Sequence, residues 1–235
     1  MTKSIHEMTQ EELANIPLLE LDDSFPFACR SDCGETCGKC CKNRNDLLLT
    51  GWDVFRLARH FKCTPDEIIL KYCELYQGHE SKLPVVRLIP KPYNNTCPFL
   101  KKGKCSLHYT NAKPDLCRSF PLAKVTISDG KSGFYLNTAN CGVQGGTSVV
   151  RDWVGDIASN EGIESSKAWS EAIGKVFPVL QKIYKNKSHE ENPLPFTTAW
   201  GFLYLIYDTS LPFAEQCRKN IEIFLEGVGK SKTLI

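Results

Sequence analysis

Five cysteines fall within fifteen residues near the start of the chain, in the run FACRSDCGETCGKCC at positions 27–41. They are Cys29, Cys33, Cys37, Cys40 and Cys41. Gly34 and Gly38 predict a loop here, because glycine permits the tight turns that aim several side chains at one centre. Thiols concentrated in this way either bind metal or form disulfides, and that choice limits what the chain can fold into.

Nine cysteines of the chain are candidate metal ligands. Four follow the first run in turn-like sequence, namely Cys97, Cys105, Cys117 and Cys141. Cys37 and Cys40 form a C-x-x-C pair, the commonest chelating spacing for zinc and iron–sulfur sites. One tetrahedral zinc needs only four ligands, so nine thiols suit two four-sulfur sites or one multi-iron cluster. We therefore predict a metal site in which an iron–sulfur cluster is preferred over zinc, although all-thiolate ligation suits both.

The other three cysteines have a simpler interpretation. Cys63, Cys73 and Cys217 lie in helical patterns beside apolar residues, where free cysteine behaves as a small hydrophobic side chain. We expect none of them to bind metal. A Cys217→Ser variant is therefore expected to keep its metal.

Four polar residues near the candidate ligands also need an interpretation. His108 follows a cysteine at C-x-x-H spacing, but with enough sulfurs nearby a solvated histidine is preferred. Asp53 and Arg56, three residues apart on a helix, are interpreted as a plain surface salt bridge. Arg118, directly after Cys117, either lowers the negative charge beside the thiolates, and so tunes a cluster or binds an acidic ligand, or forms a structural salt bridge.

Charge and hydropathy exclude several classes of protein. The 29 Lys and Arg residues nearly balance the 27 Asp and Glu residues, which argues against a nucleic-acid partner. The longest apolar stretch, at 196–208, is too short to cross a membrane. The first residues lack the apolar run of a secretory signal, which predicts a cytoplasmic location. Structural disulfides are uncommon in that reducing compartment, so the thiols are available as ligands.

The pattern of the chain predicts an α+β fold that is mainly α-helical. A loop-rich cysteine-cluster half contains a small hairpin, and a helical C-terminal half packs on it. We place the first half at residues 1–148, as a cysteine-rich metal-binding domain, and the helical region at 149–235. The flexible segment GVQGGTS at 142–148 separates them.

Individual elements follow from capping and periodicity. One helix starts at Thr50, and a second starts at Thr64 with a capping box and runs in a helical period through Tyr76. Strands are expected at 84–89 and in a hairpin, at 123–128 and 133–137. Further helices are expected at 149–159, 165–185, 196–208 and 211–227, with a break at Asn192-Pro193-Leu194-Pro195 and a bend at Pro178.

Three segments resemble one known family. They are CGETCGKCC at 33–41, TGWDVFRLA at 50–58 and CPFLKKGKCSLHYTNAKPDLCRSFP at 97–121. Together they resemble the CxxCxxCC family, also called the YkgJ-type cysteine-cluster family, of zinc- or iron-chelating domains, to which flagellin lysine-N-methylases are distantly related. The resemblance covers about residues 27–141. The ligand cysteines it implies are Cys33, Cys37, Cys40, Cys41, Cys97, Cys105, Cys117 and Cys141.

The resemblance and the residues leave three functions open. The first is a metalloprotein, holding an iron–sulfur cluster or zinc, that acts in redox chemistry or in modifying a protein substrate. The second is a non-catalytic structural zinc module whose helical half binds a partner. The third is a protein lysine N-methyltransferase using S-adenosylmethionine. Whether the protein is an enzyme, either an oxidoreductase or a methyltransferase, stays open, as do its catalytic residues and oligomeric state.

Two sequence features bear on the use of S-adenosylmethionine. No glycine-rich strand–turn–helix that would cradle a nucleotide-like cofactor is present in the sequence. Cys33, Cys37 and Cys40 have the C-x-x-x-C-x-x-C spacing of radical enzymes. The chain lacks the repeated strand–helix pattern of the barrel in which such a triad works, so we interpret the match as coincidental.

Overall fold

The computed structural model describes residues 9, 11–12, 15–30, 38–42, 46–126, 132–137, 142–143, 145–185 and 187–230. Three of the predicted ligands, Cys33, Cys37 and Cys141, lie outside these residues, as does the predicted hairpin turn at Asp129-Gly130. All statements about the fold concern the described residues.

The described residues form a mainly helical α+β fold, as the sequence predicts. The helices are α1 (Gly51–Phe61), α2 (Pro65–Tyr72), α3 (Asp115–Ser119), α4 (Val150–Val154), α5 (Asn160–Ile183), α6 (Pro193–Trp200) and α7 (Phe213–Lys230). The strands are β1 (Ser24–Phe25), β2 (Leu48–Leu49), β3 (Cys73–Gln77), β4 (Pro84–Leu88), β5 (Leu100–Lys101), β6 (Lys104–Cys105), β7 (Leu122–Thr126), β8 (Ser132–Leu136) and β9 (Ser148–Val149). Small antiparallel sheets pair these strands in the orders β2-β4-β3, β1-β9, β5-β6 and β7-β8.

Both helices predicted from capping patterns are present. At the start of α1, the Asp53 amide donates to Thr50 Oγ1 at 3.0 Å and the Thr50 amide donates to Asp53 Oδ2 at 2.9 Å. At the start of α2, the Thr64 amide donates to Glu67 Oε2 at 2.8 Å. Each box satisfies amides that the first helical turn would otherwise leave unpaired.

Helix α2 ends earlier than predicted. The helical period was expected to continue through Tyr76, but the chain becomes extended at Cys73 and forms β3. Strand β3 pairs with β4 along its whole length, from Cys73 opposite Leu88 to Gln77 opposite Pro84. The prediction was wrong because this pairing with a distant strand outweighs the local helical pattern. The strand predicted at 84–89 and the hairpin of β7 and β8 are confirmed.

The C-terminal helices are confirmed with changed boundaries. Gly155, with φ of 56°, ends α4, and a short 3-10 segment follows before Ser159 caps α5. Pro178 lies inside α5, which runs on to Ile183. The break predicted at Asn192-Pro193-Leu194-Pro195 is present but lies earlier, because α5 ends at Ile183 and α6 already begins at Pro193. Proline suits the first turn of a helix, where its missing amide has no partner to lose. Within the described residues, none of the helices combines the length and apolar character needed to cross a membrane.

The main hydrophobic core contains residues from both predicted halves of the chain. Trp52 and Phe55 of α1 pack on Phe213 of α7, with ring centroids 5.4 Å apart in each pair. The same core includes Cys97 and Leu107 from the cysteine-rich segment. The packing of helices on this segment therefore positions the thiols, while the division at residue 148 stays a prediction.

Gly51 marks a point of close approach in this core, and it yields a test of the packing. A Cβ atom on Gly51 would lie 2.4 Å from the carbonyl oxygen of Leu203 and 2.6 Å from Cζ3 of Trp169. We expect Gly51→Ala to lower the free energy of unfolding by about 1–3 kcal/mol, since the backbone contact cannot yield without a shift. Equilibrium unfolding in urea measures the change.

The matched control is Gly174→Ala in the exposed part of α5. A Cβ atom at Gly174 meets nothing within 4 Å, so alanine is expected to stabilise the helix by about 0.5–1 kcal/mol. The opposite signs of the two changes are the expected result. A Gly51→Ala variant as stable as the parent protein would show that α1 does not pack on Leu203 and Trp169 in this way.

Candidate metal centre

Cys40 and Cys41 lie on a short 3-10 turn, Lys39–Cys41, that follows Gly38. Gly38 has φ of 53°, and a Cβ atom there would lie 3.1 Å from the Leu100 side chain and 3.3 Å from the Gly103 carbonyl oxygen. Glycine is therefore suited to this position by backbone conformation and by space. The turn is fastened to the second cysteine segment by a hydrogen bond from the Cys97 amide to the Cys41 carbonyl oxygen at 2.8 Å.

Cys97 and Cys105 are held close together by the β5–β6 hairpin. Lys102 and Gly103 at its tip both have positive φ, 49° and 81°, as expected for a two-residue hairpin turn of type I′. Cys105 lies opposite Leu100 in the strand register, and the Leu100 amide donates to the Cys97 carbonyl oxygen at 3.0 Å. The hairpin therefore brings together two cysteines that are eight positions apart in sequence.

Cys117 reaches the same region from the short helix α3. The Asp115 amide, at the start of α3, donates to Asp53 Oδ1 at 2.9 Å, which ties α3 to α1. The Cys117 amide donates to the Pro114 carbonyl oxygen at 2.9 Å. A residue of α1 thus fixes the position of a thiol-bearing helix.

These three segments enclose a thiol cavity of about 60 Å³. Five cysteines line it: Cys40, Cys41, Cys97, Cys105 and Cys117. Most of the remaining wall is apolar, with Leu47, Leu88, Phe99 and Leu107 among its side chains. A cavity of this size admits only a few water-sized groups, so the sulfurs face a small space with a mostly apolar wall.

The sulfur of Cys41 is the centre of the contacts among the thiols. It hydrogen-bonds with the sulfurs of Cys105, Cys40 and Cys97, and these bonds raise the pKa of Cys41. The same contact with Cys41 lowers the pKa of Cys105 to about 6 and also lowers the pKa of Cys97. Burial raises the pKa of Cys117. Negative charge is therefore favoured at Cys97 and Cys105, the two cysteines of the hairpin segment.

Of the nine predicted ligands, five meet in this cavity. Cys29 instead lines a neighbouring cavity, together with Cys40 and Cys117. Cys33, Cys37 and Cys141 lie outside the described residues. Among the residues that the structure describes, no group of three or more His, Cys, Asp or Glu side chains is arranged so that it could hold a metal ion. The sulfurs are grouped as hydrogen-bonded thiols, and the ligand assignment stays a prediction.

The other three cysteines lie away from the thiol cavity. Cys73 and Cys217 are buried in the hydrophobic core, and Cys63 is partly buried against it. Burial raises the pKa of Cys73 to about 12, which keeps it a neutral thiol. These positions fit the prediction that the three cysteines pack as small hydrophobic side chains.

Asp53 and Arg56 are buried, so their interpretation as a surface salt bridge was wrong. Their side chains are only 2% and 5% exposed. Arg56 Nη2 donates to Asp53 Oδ1 at 2.6 Å and also pairs with Asp115. Burial, and then the nearby charge of Asp53, raises the pKa of Asp115 to about 6, while Arg56 opposes the rise.

This buried ion network was missed in the sequence, although one signal for it exists. Asp53 already acts in the capping box of α1, and its second oxygen remains available for Arg56 one turn later. What the sequence does not indicate is the third member, Asp115, which lies 62 positions from Asp53.

Arg118 forms a salt bridge within the protein, which is the structural role considered for it from the sequence. Its Nη1 lies 3.3 Å from Asp156 Oδ1, and its Nη2 donates to the carbonyl oxygen of Thr110 at 2.5 Å. His108, interpreted from sequence as solvated, lines both the thiol cavity and its neighbour. Its Nδ1 lies 3.3 Å from Nζ of Lys113.

The side chains that line the thiol cavity fit both metal centres that the sequence suggests, zinc and an iron–sulfur cluster. A wall that supplies five thiols, the His108 imidazole and no carboxylate offers ligands of the kind that zinc and iron–sulfur clusters take. Calcium and magnesium, which require oxygen ligands, do not fit.

Comparison with known proteins supports the same chemistry. Residues 32–142 match the family model CxxCxxCC, described as "Putative zinc- or iron-chelating domain". A search of curated proteins and a search of solved structures found no match. The matched segment contains all five cysteines of the thiol cavity and also Cys33, Cys37 and Cys141. The cysteine-rich part of the chain, at residues 32–142, is therefore similar to the CxxCxxCC family.

Proposed function

We propose that the protein holds an iron–sulfur cluster through cysteine thiolates of the thiol cavity. The observation that carries the proposal is the convergence of five predicted ligands on one cavity, with Cys41 in contact with three other sulfurs. The family description, a zinc- or iron-chelating domain, supports a metal centre without choosing the metal. The number of thiols exceeds the four that one zinc ion needs, which suits two four-sulfur sites or one multi-iron cluster with extra thiols.

The ligands would come from two groups of cysteines. The described group is Cys40, Cys41, Cys97, Cys105 and Cys117, and the family motif adds Cys33, Cys37 and Cys141. Cys29 is a further candidate at the edge of the site. When bound, an iron–sulfur cluster supplies one-electron transfer, with a potential that depends on hydrogen bonds, net charge and solvent exposure. Leu47, Phe99 and Leu107 would limit access of water to the sulfurs.

We place this chemistry in the cytoplasm, in redox reactions or in the modification of a protein substrate. Cys41, Cys97, Cys105 and Cys117 of the thiol cavity are free thiols, which fits a reducing compartment. A lysine N-methyltransferase using S-adenosylmethionine is one version of protein modification. No observation on the described residues favours it over electron transfer.

A structural zinc module is the second candidate function. The thiol-bearing segments are fastened to the core by Cys97 and Leu107, so a metal there would also stabilise the fold. In this case the helical half would bind a partner, and the metal would have no redox role.

The metal and acid-labile sulfide content after anaerobic purification tests the proposal. We expect iron and sulfide in similar amounts, together with a broad visible absorption band that bleaches on reduction. Such a result would support the cluster, because zinc has no redox chemistry and no visible colour.

Two other outcomes are distinct. Zinc without sulfide or colour would overturn the cluster and favour the structural module, and chelation should then lower the thermal midpoint of unfolding. A folded protein that contains neither metal, and takes up neither zinc nor iron when reconstituted anaerobically, would contradict both functions.

A further inference from the structure

A second cavity of about 300 Å³ adjoins the thiol cavity, and we call it the basic cavity. It lies between the N-terminal segment around Phe27, the Lys39–Cys41 turn, the segment before α3, and helix α4. Its volume suits a small organic molecule rather than a single ion.

Positive charge is concentrated in the walls of the basic cavity. Arg30, Lys39, Lys113 and Arg118 line it, while Asp152 is the single acidic residue among its described lining residues. The complete chain is almost neutral, with 29 basic and 27 acidic residues, so this excess is local. A different groove, which contains Arg59 and Arg218, is lined by three glutamates as well and has no such excess.

Part of this charge is already used by the protein, and part of it is available to a ligand. Arg118 pairs with Asp156 through Nη1, which leaves its guanidinium partly neutralised. In the part of the chain that the structure describes, its buried Nε has no hydrogen-bond partner. Lys113 contacts His108 at 3.3 Å but has no acidic partner among the described residues. Arginine and lysine side chains in a partly closed site are suited to carboxylate and phosphate groups.

Part of the lining of the basic cavity is aromatic. The rings of Phe27 and Trp153 are 5.3 Å apart and nearly perpendicular, and Phe120 also lines the cavity. Trp153 donates its Nε1 hydrogen to the Ser119 carbonyl oxygen at 3.0 Å. Because the polar atom of Trp153 is satisfied within the protein, the indole offers the cavity an apolar surface.

The basic cavity and the thiol cavity share a wall. Cys40, His108, Lys113, Cys117 and Phe120 line both of them. A molecule in the basic cavity therefore lies beside three of the predicted metal ligands, Cys29, Cys40 and Cys117.

We propose that the basic cavity binds a small organic anion, carrying a carboxylate or phosphate group on a planar apolar body, next to the thiols. The acidic group lies against the Arg30 and Lys113 side, and the apolar body packs on Trp153. Its role as a substrate or effector of the metal centre rests on the proposed function. Its binding does not, because the cations and aromatic rings belong to the protein alone.

The test uses three probes that share a phenyl ring and differ in the group attached to it: phenyl phosphate, benzoate and neutral benzamide. Calorimetric titration of the full-length protein at low ionic strength measures their affinities. We expect at least one anion to bind about tenfold more tightly than benzamide, since charge-assisted hydrogen bonds are stronger than neutral ones. Comparison of the two anions distinguishes phosphate from carboxylate as the preferred group.

Two substitutions and a charge-matched control locate the binding site. Lys113→Gln and Arg30→Gln are each expected to weaken binding of the preferred anion by about tenfold. Lys175→Gln removes one positive charge from the exposed surface of α5 and is expected to leave the affinity unchanged. Arg30 is exposed, so its substitution remains informative if Lys113→Gln disturbs the fold.

The outcomes separate this inference from the metal proposal. Equal binding of benzamide and both anions, or equal weakening by Arg30→Gln and Lys175→Gln, would overturn the basic cavity as an anion site. A protein with iron and sulfide that binds neither anion would also overturn it, while leaving the cluster intact. A protein that contains no metal but binds an anion in a Lys113-dependent manner would support the cavity and contradict the metal centre.

Discussion

Replacement of Cys105 by serine is expected to remove most of the metal that the protein binds. Cys105 lines the thiol cavity, and its sulfur contacts that of Cys41. A serine hydroxyl is a poor substitute for a thiolate on zinc or iron. Loss of a residue that only hydrogen-bonds to a metal ligand lowers metal affinity about 10–100-fold. Loss of a ligand itself should therefore lower metal affinity by more than about 100-fold. Metal and sulfide per chain, measured after anaerobic purification, give the result. Cys117→Ser, on another wall of the cavity, is expected to behave in the same way.

Two cysteines outside the cavity serve as controls. Cys63 is partly buried, like Cys105, so Cys63→Ser matches it in exposure as well as in chemistry. Cys217 is fully buried, and its thiol donates to the Ala168 carbonyl oxygen at 3.7 Å. Both control variants are expected to retain the metal content of the parent protein. Equal metal content in the cavity variants and the control variants would contradict the ligand assignment.

Replacement of Asp53 by alanine is expected to lower the free energy of unfolding by about 3–5 kcal/mol, because it leaves a buried charge without one of its partners. The carboxylate accepts hydrogen bonds from the Thr50 amide, from Arg56 and from the Asp115 amide. Its loss leaves Arg56 with two acidic partners, Asp115 and, at 3.9 Å from its Nη1, Asp156. Equilibrium unfolding in urea measures the effect, and an unchanged slope would indicate that the native state stays compact.

The control for Asp53 is the corresponding position in the next helix. Glu67 closes the capping box of α2, but this box is exposed, and Glu67 makes no contact with a buried arginine. Glu67→Ala is therefore expected to cost only about 0.5–2 kcal/mol, as does the loss of a cap alone. If Asp53→Ala lowers the free energy of unfolding no more than Glu67→Ala does, then the network with Arg56 and Asp115 adds no stability beyond that of the helix cap.

Local sequence signals predicted much of the architecture. The capping residues of α1 and α2 lie within four positions of the amides they satisfy, so both helix starts could be read directly. The hairpin of β7 and β8 followed from two alternating runs. The gathering of Cys97 and Cys105 also has a local cause, since the turn at Gly103 joins them. These features need no knowledge of the tertiary structure.

The features that sequence analysis missed depend on distant residues. Strand β3 has a helical pattern of its own, and it becomes extended only because β4 offers it a partner. The burial of Asp53 depends on Asp115, and no pattern within α1 indicates where α3 will pack. The basic cavity similarly combines Arg30 and Lys113 with Trp153, which belong to three separate segments. Such groupings follow from tertiary packing and not from local periodicity.

Helix α1 constrains how the sequence of this protein can diverge. Within its 11 residues, Trp52 and Phe55 pack on Phe213 of the C-terminal half, while Asp53 and Arg56 hold the helix that bears a thiol. The two sets of positions interleave, so neither can change without disturbing the backbone that carries the other. A descendant that exchanged its C-terminal helices for others would have to supply a new surface for the same two aromatic rings. Helix α3, which bears Cys117, and the C-terminal helices that pack on α1 are therefore bound to evolve as one unit.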